Sequence, residues 1–237
     1  MGWTTAIEAL SQLDLIAVSC FLAVWLGISW FIENPPKRRP STSQLMAQYR
    51  RIWMREFVTR EPRIFDSQII ASLRQGTSFF ASASMIAIGG GFALLGNADR
   101  LRGVAQDLTT GAADPVVVWE LKLILMLVLA ANAFLKFVWS HRLFGYCSIL
   151  MAAVPNDPND PIAMPRAMKA GEVNITAAKA YNRGLRSVYF GIASAAWLGG
   201  PIALMVATAF TLAVILRREF ASISRAVLLE VSDSTVS

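Results

Sequence analysis

The sequence predicts an all-α, polytopic membrane protein: four transmembrane helices arranged as two hairpins, with an added cytoplasmic amphipathic helix. Three observations carry this expectation. The 237-residue chain is 55% hydrophobic and only 16% charged, against roughly 25% charged residues in soluble domains. Its mean hydropathy is +0.48. Its apolar residues gather into four long runs while Lys and Arg gather between them, as spans and flanking loops do.

The expected spans are about 13–32, 68–95, 116–139 and 187–216, within one membrane domain covering 1–237. A helix needs about 20 residues to cross about 30 Å of hydrocarbon. The first run closes on Trp30 and Phe31, an interfacial aromatic pair. The second and fourth are longer than a crossing requires, so they are expected to tilt, kink or project.

Orientation follows from the basic residues. The loop 33–67 holds Lys37, Arg38, Arg39, Arg50, Arg51, Arg55, Arg60 and Arg63, and the loop 140–186 holds Arg142, Arg166, Lys169, Lys179, Arg183 and Arg186. The connection 96–115 has only Arg100 and Arg102, beside Asp99, Asp107 and Asp114, and nothing basic precedes Lys37. Both rich loops are therefore expected inside and the N-terminus outside, in a bacterial inner membrane. Four full crossings also place the C-terminal tail outside, against the sense of Arg217, Arg218 and Arg225. A hairpin broken at Gly199-Gly200-Pro201 returns that tail inside. The full crossing is the favoured expectation, because a run of about 30 residues is short for two passages.

The first loop has internal order. Ser41-Thr42-Ser43 is a helix cap, and LMAQYRRIWMREFVTRE follows it up to Pro62. Leu45, Tyr49, Ile52, Trp53 and Phe57 share a face ringed by arginines. Two placements are open: on the anionic inner leaflet, or packed on the second loop. Asp66 and Ser67 are expected to cap the second span. The second loop opens on the Pro-rich VPNDPNDPIAMP, after which EVNITAAKAYNRGLRS runs helically into the fourth span. Asn174-Ile175-Thr176 matches a glycosylation sequon that a cytoplasmic loop does not use. A short amphipathic helix through Phe220, Ile223 and Val227 is expected after Arg218.

The second and fourth runs resemble each other at an offset of 110. Phe79-Phe80 matches Tyr189-Phe190, Ala83-Ser84 matches Ala193-Ser194, and Gly89-Gly90 matches Gly199-Gly200. A duplicated hairpin and shared small-residue composition both account for this. Ala83, Ala87 and Gly91, like Gly191, Ala195 and Gly199, are spaced by four and form flat strips for helix contact. The partner is a helix of the same chain, a second copy, or another membrane protein.

Candidate functional residues are the polar groups in and beside the spans: Arg74, Glu120, Asn132, Lys136, His141, Arg142 and Arg186, with Lys122 weighed beside them. Glu120, Asn132, Lys136 and Ser140 roughly share a helical stripe. That stripe suits a polar pathway or headgroup site; alternatively its charges snorkel to the interfaces and Asn132 makes one interhelical bond. His141 and Arg142 are expected at the inner surface. No Ser/His/Asp set, P-loop or HExxH occurs, and Gly89-Gly90-Gly91 lacks the following Lys of a phosphate loop. One His and two distant Cys, Cys20 and Cys147, do not make a tetrahedral metal set, and no cofactor is expected. The N-terminus lacks the basic stretch of a signal peptide. The net charge of +6 lies in loops flanking spans, which points to anionic lipid as a partner and away from nucleic acid.

Several short motifs together carry a family resemblance. They are Leu73-Arg74, the segment from Lys136-Phe137 through Ser140 and Arg142 to Tyr146, Asn182, Arg186, Tyr189-Phe190, Trp197, Gly200-Pro201 and Arg218-Glu219-Phe220. With them the chain resembles the bacterial and plant membrane family known as domain of unknown function 599. The resemblance implies a multi-span membrane protein and no particular activity. Three functions stay open: a non-enzymatic scaffold or accessory subunit, an oligomeric channel or small-solute transporter, and a lipid-headgroup enzyme using His141, Arg142 and Lys136. The expectation is the first.

Overall fold

The computed structural model describes residues 9–36, 38–108 and 115–230, without the side chains of 104–108. Lys37, Asp114 and the Asp107 side chain, used above for orientation, therefore lie outside the described residues. The described residues are helical, with no strand among them. The helices are α1 (Gln12–Glu33), α2 (Thr42–Thr59), α3 (Ile64–Leu95), α4 (Ala98–Leu108), α5 (Val116–Ala152), α6 (Ala163–Ser194), α7 (Pro201–Phe220) and α8 (Ile223–Leu229). A 3₁₀ turn, Ala195–Gly199, separates α6 from α7. Four segments are long and apolar enough to cross a membrane: Gln12–Glu33, Ile64–Leu95, Val116–Ala152 and Pro201–Leu229.

The first three agree with the expected runs and lengthen two of them. At about 1.5 Å per residue, α3 is about 48 Å long and α5 about 55 Å, well over the hydrocarbon thickness. α5 continues thirteen residues past position 139 and α6 already begins at Ala163, so the expected loop 140–186 contracts to 153–162. The cause is local: Pro155, Pro158 and Pro161 fall inside that short segment and neither continue a helix nor let one begin earlier.

The fourth run is corrected. Residues 187–216 are not one helix. α6 stops at Ser194, Gly200 takes φ +105°, and α7 starts at Pro201. Pro201 has no N–H to give to a continuing ladder and disfavours helical geometry at the residue before it, where only glycine turns at low cost. Pro201 is well placed as the first residue of a new helix. The aligned Gly89-Gly90 lies inside α3 without a break, because Gly91, not proline, follows it. The two segments at offset 110 thus have different structures despite their similar composition.

Two compact units make up the chain: Met1–Ile28, Ser82–Phe134 and Gly184–Ala213 form the first, and Ser29–Ala81, Leu135–Arg183 and Val214–Ser237 the second. In the first unit, Trp197 Nε1 donates to Asp14 Oδ1 at 2.7 Å and Phe21 meets Phe190 edge-on. Asp14 also closes a capping box with Ser11 at the start of α1. In the second unit, Arg183 pairs with Glu33, and Arg225 Nε donates to the Pro40 carbonyl at 3.0 Å. Thr42 Oγ1 donates to the Glu219 carbonyl at 3.1 Å. α1 and α7 therefore both begin in the first unit and end in the second. The chain after α7 lies beside the chain after α1, contrary to the expected full crossing that left the tail on the opposite side.

α2 also differs from its expected face. Leu45, Met54, Phe57 and Val58 are buried, while Tyr49 and Ile52 are exposed. Met54, Phe57 and Val58 pack with Cys147, Met151, Ala163, Ala167 and Ala170 from α5 and α6. A Cβ at Gly171 would approach Met54 Cγ to 3.0 Å, so a glycine lets α2 lie close to α6. The tail helix is α8; Phe220 belongs to α7, and Ile223 and Val227 are exposed.

Single-cysteine labelling tests the shared side. In a chain lacking Cys20, Arg38→Cys and Ser222→Cys should react with an impermeant maleimide from the same face of a sealed vesicle. Labelling from opposite faces overturns the arrangement.

Candidate functional site

Among the described residues, four groupings contain the candidate residues or lie beside them, two in each unit. In the first unit Lys122 is 2% exposed. Its Nζ lies 5.0 Å from the Trp119 ring centroid and 6.0 Å from that of Trp197, so two aromatic faces stabilise a buried cation. Lys122 thus lies inside the protein, among aromatic rings. Arg186 is buried at 4% exposure, and its neighbour Ser187 donates through Oγ to Asn132 Oδ1 at 3.5 Å. Asn132 thus makes the expected interhelical bond, between α5 and α6. An apolar groove of about 740 Å³ runs past Ser84, Ala87, Gly90 and Gly91 of α3 and Ser187 and Gly191 of α6. A Cβ at Gly89 or Gly90 would meet nothing within 4 Å, whereas one at Gly91 would strike Leu127 at 2.6 Å. Gly91 of the predicted strip packs closely on α5, while Gly89 and Gly90 lie off that strip in open space.

In the second unit His141 and Arg74 come together. His141 Nε2 lies 3.5 Å from Arg74 Nη2, and Nδ1 faces Ser78 Oγ at 3.1 Å, Thr77 Oγ1 at 3.3 Å and the Arg74 carbonyl at 3.3 Å. A guanidinium only donates and a carbonyl only accepts. The tautomer with the proton on Nδ1 and an accepting Nε2 suits these partners. Arg142 turns elsewhere: its Nε donates to Tyr146 Oη at 2.6 Å along its own helix. Ser140 Oγ donates to the Ala177 carbonyl at 2.8 Å. Glu120 and Lys136 are half-buried and make no hydrogen bond or ion pair among the described residues. The predicted stripe therefore divides: Asn132 and Ser140 bind α6, and the two charges do not.

The fourth cluster surrounds α2 and escaped the sequence reading. Asp66 is fully buried inside the first turn of α3 rather than ahead of it as a cap. Its Oδ1 accepts from Trp53 Nε1 at 2.6 Å and Arg60 Nη1 at 2.5 Å. Arg63 donates to the carbonyls of Val58, Val154 and Pro155 and lies 4.5 Å over the Phe57 ring. Arg51 pairs with Glu172 at 2.6 Å, and both are substantially exposed. Arg50 donates to Asn174 Oδ1, and Asn174 Nδ2 lies 3.5 Å from Cys147 Sγ. Burial draws the Arg50 guanidinium below its ordinary value. Asn174 showed in the sequence only as part of an unused sequon; nothing local marked it as the partner of a residue 124 positions away.

The long apolar helices and these intramembrane and flanking polar ties define an integral membrane protein. Its family follows from the match: the model described as "Protein of unknown function, DUF599" covers residues 16–224, and the chain belongs to that family. No curated protein and no solved structure matches it.

Two substitutions test these ties. Asp66→Ala removes the acceptor shared by Trp53 and Arg60, and should lower stability by about 3 kcal/mol, the cost of breaking a buried pair, read from denaturant unfolding in detergent. The Arg51 hydrogen bond holds the Glu172 carboxyl below its ordinary value. A depressed carboxylate contributes stability above the ordinary carboxylate range and loses it as pH falls through its folded value. As the pair is exposed, Glu172→Gln should cost only about 0.2–1 kcal/mol at pH 7, with the difference from the parent vanishing in acid.

Proposed function

We propose that the protein is a non-enzymatic scaffold or accessory component of a bacterial inner membrane, its N-terminus outside and α2 facing the cytoplasm and its anionic lipid. The observation that carries this is the use of the polar residues on α5. Asn132 and Ser140 are spent on hydrogen bonds to α6, which joins helices and leaves those groups unavailable to a solute. In hydrocarbon such bonds contribute about 0.6–2 kcal/mol each, enough to hold helix register. The surfaces left over for partners are the open backbone at Gly89-Gly90 and the exposed Tyr49, Ile52 and Arg55 of α2.

Transport through an oligomer is the second reading, favoured by Glu120 and Lys136, half-buried charges without partners among the described residues. Crosslinking in native membranes followed by mass spectrometry separates the two. A scaffold gives a defined adduct with another membrane protein or a second copy, retained in Lys136→Leu. Recovery of the uncrosslinked monomer alone counts against it. Solute flux in proteoliposomes that Lys136→Leu abolishes replaces the scaffold with a transporter.

A further inference from the structure

The second unit contains a cavity of about 800 Å³, within the size range of small-ligand sites, roughly 300–1,000 Å³. Its wall brings together the end of α1, the polar side of α2, Gly76 of α3 and one face of α6. Ile32 and Glu33, where the apolar run of α1 ends, are among the lining residues. The cavity thus stands where a span gives way to a polar boundary.

Among the charges in that wall, the half-buried Arg50 stands out. Glu33 is neutralised by Arg183. Glu219 accepts from the backbone N–H and hydroxyl of Ser43 at 3.1 and 2.9 Å, at the first turn of α2, where free N–H groups and the helix dipole stabilise a carboxylate. Arg51 is neutralised by Glu172. Arg50 has no carboxylate in contact among the described residues; its bond goes to the neutral Asn174 amide. Lys179, exposed on the same wall, adds a second positive charge. A partly buried guanidinium without a counter-charge is costly, and its remaining N–H donors suit the paired oxygens of a phosphate.

We propose that this cavity binds a phosphate-bearing anion, with Arg50 as its anchor and Asn174 holding the guanidinium in place. The chemistry is that of a phosphate group, carried by a lipid headgroup or free in solution. The position at the end of α1 suits a headgroup, because its acyl chains have hydrocarbon beside them. The proposal goes beyond the scaffold reading and does not depend on it.

The test uses the full-length protein in neutral detergent. Short-chain phosphatidylglycerol and inorganic phosphate are titrated separately, with binding read by native mass spectrometry and by the shift in thermal unfolding. At least one should bind at one per chain, and Arg50→Gln should weaken it tenfold or more. Ala178 lines the cavity one helical turn from Asn174, so Ala178→Glu places a carboxylate within reach of Arg50. It should cause a similar loss while keeping the arginine, which covers the case in which Arg50→Gln does not fold. Arg100→Gln, exposed on α4 in the first unit, should bind as the parent does. Binding of phosphatidylglycerol alone assigns the site to a headgroup, and binding of phosphate, with or without the lipid, assigns it to the phosphate group itself. The proposal is overturned if the parent binds neither, or if Ala178→Glu binds as well as the parent.

Discussion

A peptide group in hydrocarbon has no water to bond, and leaving it unpaired costs several kcal/mol. This constraint governs most of the molecule. It makes each apolar segment a helix, and it makes any interruption expensive unless the freed groups find partners at once. The interruption between α6 and α7 meets that condition. Gly200 N–H donates to the Trp197 carbonyl at 2.9 Å, and Leu204 N–H returns to the Gly200 carbonyl at 3.2 Å. Pro201 contributes no donor to satisfy. Trp197 itself is tied to Asp14, so the turn is held by a side chain as well as by its backbone.

The same penalty falls on side chains, and the two units meet it differently. In the first, a buried lysine is held between tryptophan faces, and Asn132 and Ser187 satisfy each other. In the second, charged groups are numerous and three pairs tie segments together: Arg183 with Glu33, Arg51 with Glu172, Arg60 with Asp66. These pairs connect segments more than they add stability, since exposed ion pairs contribute little. Asp66 is the exception, because burial makes the loss of either donor costly. Against this background Arg50 stands apart, having burial without a counter-charge.

The spans were legible because their signal is cumulative. Twenty apolar residues in a row outweigh any local ambiguity, and α1, α3 and α5 lie where their composition places them. α2 was legible as an element from Ser41 and from the spacing of Leu45 and Phe57, but its neighbours were not. Tyr49 and Ile52 satisfy the same periodicity and remain exposed. The fourth run misled because hydropathy averages over Gly200-Pro201, whereas backbone geometry turns on those two residues. Of the polar residues singled out, Arg74 and His141 do meet, 67 positions apart, in a contact that no spacing rule connects. Asn174, Arg63, Asp14 and Glu219 were not marked as contact residues, since an amide in a sequon or an acid at a helix end carries no local sign of a distant partner.

By itself the sequence determined that this chain is helical, that it is embedded in a membrane, and which segments are apolar enough to cross. These depend on transfer free energy and backbone satisfaction, which are sums over neighbouring residues. Only the tertiary structure decided that α7 returns to the side where α1 ends, that α2 packs on α5 and α6, and that Arg50 faces a cavity with no carboxylate among the described residues in contact with its guanidinium. Each of those depends on pairs more than 100 positions apart, Pro40 with Arg225, Ser43 with Glu219, Arg50 with Asn174. Their energies arise from direct contact, which a linear pattern does not encode.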